Sequence, residues 1–328
     1  MFVRLLAVAR TTFTETIRQP IYAVVVFMTW LMLIMNLNLS AFSLDDDNKL
    51  LLDLGMSSLL LSGLLLSAFC ASGAVSGEIE DRTVLTIVSK PVSRTAFLLG
   101  KFAGLNAALL MAFYLCSLVF LFTVRHRVMQ STADEYDLPV IVFSTSAVLI
   151  ATLVAGFGNF LYRWHFSSTL LGLAVPLLTV AMVLVGFIDK QWEFQRFGAD
   201  FAIRQGPGLG PILLGLALIY FAVLMISGVA LAASTRLGQV MTLIVCTGFF
   251  LLGLVSNYLF GRFADESLLA DILYRASGNL QPFWVTDAIT QAQEITLKYA
   301  LMTAGYGLLY TAGLLALAVA LFQTREVG

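Results

Sequence analysis

Eight stretches of this chain stay apolar for roughly 20 residues or more: Ile21–Leu39, Gly55–Ser76, Ala96–Val124, Pro139–Tyr162, Thr169–Ile188, Ile212–Ser234, Val240–Leu259 and Tyr299–Phe322. An α-helix rises 1.5 Å per residue, so each run can cross a hydrocarbon core about 30 Å thick. Inside that core no water is available to backbone N–H and C=O groups, and a helix satisfies them within its own segment. The pattern therefore predicts an all-α polytopic membrane protein with eight transmembrane helices. Charged residues make up 12% of the 328, against about 25% in soluble domains. The segments between the runs are too short for a soluble domain, so residues 1–328 read as a single transmembrane unit. A net charge of −1 gives no ground for a nucleic-acid partner.

Residues 1–20, MFVRLLAVARTTFTETIRQP, have Phe2, Leu6, Ala9, Phe13 and Ile17 at helical spacing, with Arg4, Arg10, Glu15 and Arg18 off that face. This predicts an amphipathic helix on the bilayer surface, with Pro20 marking the turn into the first span. The apolar run begins only after Pro20 and is itself span-length, unlike the core of a secretory signal. Basic residues before the first span, and the acidic SLDDDNKLLLD after it, place the N-terminus in the cytoplasm. Eight spans return the C-terminus to the same side. On this map fifteen of the twenty acids fall outside, while Arg125 and Arg127, just beyond the third span, run against the rule. The largest outer segment, residues 260–298, contains ESLLADILYRA, whose leucines and isoleucine recur at helical spacing and predict a second interfacial helix.

Against this apolar background, GEIEDRTVLTIVSKPVSRTAFLLGKF, from Gly77 to Phe102, carries seven charges. Glu78, Glu80 and Asp81 precede Thr83–Val88, and Lys90 follows, an order that complements a helix macrodipole. Pro91 disfavours helix at Lys90, and Ser93 is placed to cap the next helix. The cytoplasmic loop 77–95 is thus expected to hold a helix of about two turns, too short to be stable alone in water. Val84, Leu85, Ile87 and Val88 must rest on the membrane, the spans or another protein. Such an element suits a lever that docks in a groove of a soluble subunit. The alternative is a solvated loop whose basic residues only enforce topology.

The order Gly77-Glu-Ile-Glu-Asp-Arg-Thr-Val-Leu, Lys90-Pro-Val-Ser-Arg, Leu99-Gly-Lys resembles the first cytoplasmic loop of the ABC-2-type transporter permeases. The N-terminal helix resembles that family's elbow helix, and Ala233-Ser-Thr-Arg-Leu-Gly its later cytoplasmic turn. Asn279-Leu-Gln-Pro-Phe-Trp-Val-Thr-Asp-Ala resembles the last extracytoplasmic loop, and Phe322-Gln-Thr-Arg-Glu the terminus. Within the family the chain is most similar to the multi-copper enzyme maturation permeases. The resemblance implies a permease subunit, a homodimer or a heterodimer with a related permease, that binds two ABC ATPase subunits and works as an exporter. An accessory periplasmic or membrane partner is compatible with it. It implies a plasma membrane, a bacterial inner membrane, with both termini cytoplasmic. Carried over by position, Glu78, Glu80, Asp81, Arg82, Thr83, Lys90 and Arg94 are the coupling residues. Family members commonly have six spans, so the count of eight implies an additional hairpin, placed among Pro139–Ile188.

The chain has no Gly-x-x-x-x-Gly-Lys-Ser/Thr; Leu99-Gly-Lys-Phe lacks the upstream glycine and the hydroxyl of a phosphate loop. It is expected to be no enzyme and to hold no cofactor, ATP and magnesium being bound by the partner. A membrane-embedded enzyme such as an intramembrane protease needs a nucleophile and base, paired carboxylates or a metal, and His126 and His165 both fall in loops. A secondary transporter would place ionisable groups in its spans. The spans instead hold Asn36, Asn106, Asn159 and Asn257, expected to hydrogen-bond between helices. Cys70, Cys116 and Cys246 have neither metal nor disulfide spacing and read as small buried hydrophobes. Gly73 and Gly77 form a Gly-x-x-x-Gly suited to close helix packing, and Ala312, Ala316 and Ala320 a small-residue stripe. Phe283 and Trp284 read as an interface anchor or an outer gate.

Overall fold

In the computed structural model, the structure describes residues 2–40, 47–80, 93–129, 135–201, 208–264, 266–291 and 293–324. Helix α1 spans Phe2–Arg18, α2 Pro20–Ser40, α3 Asp47–Glu80, α4 Arg94–His126, α5 Leu138–Tyr162 and α6 Phe166–Phe187. These are followed by α7 Leu209–Ser234, α8 Gln239–Leu259, α9 Leu268–Ala276, α10 Thr286–Thr290 and α11 Leu297–Gln323. No strand is present among the described residues, and eight helices (α2–α8 and α11) are long and apolar enough to cross a membrane. Each corresponds to one of the apolar runs, as backbone satisfaction in hydrocarbon requires.

The helices are not equivalent. Over their most apolar eighteen residues α3, α4 and α7 are 78%, 72% and 67% buried, while α2 and α11, for example, reach only 28% and 22%. These three form the centre of the bundle. α7 packs against α3, α8 and α11; α3 also meets α2, α4 and α8. Leu59, Leu105, Leu109, Phe120, Val223 and Ile226 are buried in the core between them. The hairpin α5–α6 packs chiefly on itself and reaches the rest mainly through α6 against α4. Its outer face presents Leu149, Leu153, Phe157 and Phe160, which suits lipid rather than water.

α3 and α4 exceed what a bilayer needs. They have 34 and 33 residues, about 50 Å each at 1.5 Å per residue. Polar residues that read as loop, Asp47–Lys49 at one end and Gly77–Glu80 at the other, are part of α3. Both helices therefore overrun the hydrocarbon layer, and residues 81–93 join them.

Interhelical polar contacts follow the expectation for two of the four asparagines. Asn36 Nδ2 donates to Ser58 Oγ at 3.4 Å, tying α2 to α3. Ser227 Oγ donates to Asn106 Oδ1 at 3.0 Å, tying α7 to α4. Asn159 instead donates to the Trp164 carbonyl within the α5–α6 turn. The three cysteines are free and buried. The segment Leu268–Ala276 is a helix with Leu268, Leu269 and Ile272 exposed.

Candidate functional site

One end of the bundle gathers α1, the end of α3, the start of α4, the α7–α8 turn and the end of α11. Ser93 is extended and its Oγ accepts from Ala96 N at 3.3 Å, capping α4 as its position promised. The next residue, Arg94, sends Nη1 to the Gln323 carbonyl at 2.8 Å. From the α7–α8 turn, Arg236 Nε donates to the Leu321 carbonyl at 3.1 Å, and Nη2 donates to Thr324 Oγ1. The last carbonyls of a helix have no partner within it and carry its negative end. Two guanidiniums from two other elements fill that role for α11. Three stretches far apart in sequence, Ser93-Arg94, Thr235-Arg236 and Gln323-Thr324, thereby meet at one point.

α1 completes this end. Leu5, Val8, Ala9 and Thr12 lie against α4, where Gly100 and Gly104 leave room for them. A Cβ on Gly100 would stand 2.8 Å from Val8 Cβ and 3.0 Å from the Leu5 carbonyl; one on Gly104 would collide with the Ala9 carbonyl. α1 also covers Lys101, which is 2% exposed, and pairs it with Glu15 at 3.8 Å while Nζ lies 5.6 Å from the centre of the Phe97 ring. The ammonium is thus shielded from the apolar environment by a carboxylate and a ring face.

The sequence-derived coupling residues divide three ways. Arg94 is at the junction just described. Glu78 and Glu80 belong to the last turn of α3 rather than to a free loop. Asp81, Arg82, Thr83 and Lys90, with the expected short helix, lie outside the described residues. Gly73 is exposed and meets only the end of the Gln19 side chain, whose Nε2 would be 2.8 Å from an added Cβ and is free to give way. Gly77 lies in α3, one turn on. Ala312, Ala316 and Ala320 are exposed, on the outer face of α11.

At the opposite end Phe283 is 1% exposed, its ring 6.1 Å from that of Tyr306 and close to Gly307. It plugs the gap between α7 and α11 and is no surface anchor. Trp284 is half-buried on the wall of an open dish of about 490 Å³, with Asp287, Glu294 and Tyr299. Thr286 Oγ1 reaches Met56 Sδ at 3.6 Å and Ile289 sits over Gly215, which docks α10 on α3 and α7. Arg125, an exception to the charge rule by sequence, is 1% exposed, 3.0 Å from Asp137 and 3.0 Å from the Ile188 carbonyl. It joins the ends of α4 and α6 to the start of α5, where Asp137 also caps through Val140 N.

Sequence reasoning missed the Arg236 contacts, the Arg125–Asp137 pair and the Gly100–Gly104 seat for α1. Only the last had a readable signal, Gly-Lys-Phe-Ala-Gly, one helical turn between small residues. No group of three or more histidines, cysteines or carboxylates suited to a metal occurs among the described residues. The sequence matches no family model and no curated protein.

Proposed function

We propose that this chain is the transmembrane permease subunit of an ATP-driven ABC transporter of the exporter type. It pairs with a second permease copy, identical or related, and with two separate ATPase subunits that bind ATP and magnesium. The single observation that carries the reading is the junction of Ser93-Arg94, Thr235-Arg236 and Gln323-Thr324. Three segments that contribute to the resemblance to the cytoplasmic face of such permeases come together at one end. The six-span core then comprises α2, α3, α4, α7, α8 and α11, with α5–α6 the additional hairpin, in keeping with its peripheral packing. α1 is the elbow helix, and this end faces the cytoplasm of a bacterial inner membrane.

In this mechanism ATP binding draws the ATPases together and displaces the tip that joins α3 to α4. Helices of this length transmit displacement as rods, because their backbone hydrogen bonds are all internal. Movement of the start of α4 pulls on α11 through Arg94, so the tip shifts two sides of the bundle at once. Phe283, between α7 and α11 at the far end, lies where their separation would open the outer exit.

The test is charge reversal at Glu80 and Arg82 in the full assembly. The expected outcome is loss of ATPase co-purification, or retained binding with loss of substrate-stimulated hydrolysis. Unchanged values for both would refute the coupling role.

A further inference from the structure

α1 has a packed face and an exposed face, and the exposed one has no use inside the bundle. Leu5, Val8, Thr12 and Thr16 turn toward α4 or are buried. Val3 and Leu6 are apolar and exposed, at 78% and 58%. Arg10, one turn beyond Leu6 and two beyond Val3, shares that exposed face, and Arg18 lies at its edge; both are exposed. An exposed apolar residue prefers hydrocarbon and an exposed guanidinium avoids it. A helix that shows both sits at the boundary between acyl chains and headgroups. Its register there is fixed, since Gly100 and Gly104 receive its backbone and Glu15 is held by Lys101.

The turn between α5 and α6 repeats the pattern independently. Only three residues join these two span-length helices, so the turn must lie at the edge of the bilayer. Arg163 adopts a left-handed conformation with φ 56°. Tyr162 and Trp164 stack at 5.5 Å beside it, and Trp164 lies against Gly158. Tyr162, Arg163, Trp164 and His165 are all exposed, and amphipathic rings of this kind concentrate at headgroup level. α6 also touches α1, which brings the two features to one end. Glu15 at this end is engaged with Lys101, and the other carboxylates placed here, Glu78 and Glu80, lie on the end of α3. Asp137, Asp189, Asp271, Asp287 and Glu294 belong to the opposite end.

We infer that Arg10, Arg18 and Arg163, framed by Tyr162 and Trp164, form a binding surface for the headgroups of anionic phospholipids. Val3 and Leu6 enter the acyl layer, and the long side chain of Arg10 beside them reaches up so that its guanidinium, like those of Arg18 and Arg163, meets the lipid phosphate. This surface depends on the membrane fold and not on the transport reading. An acidic soluble protein is the less favoured occupant, because exposed Val3 and Leu6 beside Arg10 suit acyl chains.

The full chain, reconstituted in nanodiscs of equal phosphatidylcholine and phosphatidylglycerol and then gently extracted, would be analysed for retained lipid by mass spectrometry. Each arginine near an anionic surface is worth about a fivefold preference, so the retained lipid should be enriched several-fold in phosphatidylglycerol. The combined variant R10Q/R18Q/R163Q should return the ratio to that of the bulk, with helix content unchanged. R196Q/R262Q, at the opposite end, should leave the enrichment intact. Should the triple variant fold poorly, the wild type itself decides: its enrichment must fall as salt is raised. No enrichment in the wild type, salt-independent enrichment, an unchanged ratio in a folded triple variant, or an equal loss in the control would each overturn the inference. So would loss of a co-purifying soluble protein from the triple variant with its lipid ratio unchanged.

Discussion

The two ends of the bundle use arginine in opposite ways. At the α1 end, Arg94 and Arg236 sit at the margin and donate hydrogen bonds to carbonyls of α11. In these contacts their charge is not met by a carboxylate. At the other end Arg125 is enclosed, its charge met by an equally enclosed Asp137 and its remaining reach by the Ile188 carbonyl. The difference teaches where each end can change. A contact between a wetted guanidinium and a helix terminus costs little to open, because water replaces either partner. An enclosed ion pair has no such substitute, and separating it exposes each charge to an apolar surrounding. By this measure the Arg94 and Arg236 contacts open at less cost than the Arg125–Asp137 pair.

The sharpest way to break this comparison is Asp137→Ala. It leaves Arg125 enclosed without its carboxylate and removes the cap of α5, and the expected loss is about 3–5 kcal/mol. Thermal unfolding in detergent measures it. Replacing both members with apolar side chains, R125M/D137L, should recover most of that loss, since a well-packed apolar pair avoids the desolvation of two charges. A single variant no less stable than R236Q would erase the contrast between the ends.

At the α1 end the combined variant R94Q/R236Q is expected to cost about 1–2 kcal/mol overall, the value of charged hydrogen bonds reduced for solvent exposure. The loss should be local. Hydrogen exchange should quicken in the last turn of α11, around Leu321–Gln323, and stay unchanged at the start of α5. Spread of the effect to both ends would mean that the bundle moves as one body.

How much of this could be read in advance follows from range. The eight spans were legible because each satisfies its backbone within itself, which forces a long apolar run whatever the neighbours do. The ends of α3 were not, since Asp47, Asn48, Glu78 and Glu80 extend a helix beyond the lipid where hydropathy carries no signal. Cysteine burial and the bonds of Asn36 and Asn106 were legible, because hydrocarbon leaves polar and small groups few alternatives. Arg125 looked like a breach of the charge rule, and nothing local shows that Asp137 will enclose it. Arg94 was singled out for its place in a charged loop, yet its acceptor lies 229 residues away. The glycines that seat α1 were within the stretch that drew attention for its charge, and their spacing passed unread.

The smallest effect sharpens the comparison most finely. Lys49 and Asp287 are 3.7 Å apart, with side chains 39% and 69% exposed, at the same end as the enclosed pair. If position at that end made a pair strong, this one would be strong too. If enclosure does, a double-mutant cycle on K49M and D287N should return a coupling of no more than about 0.5–1 kcal/mol. α10 should stay docked in all four proteins, because Ile289 over Gly215 and Thr286 against Met56 hold it. A larger coupling, insensitive to salt, would show that the outer end is bound electrostatically throughout and that burial of Arg125 is not what distinguishes it.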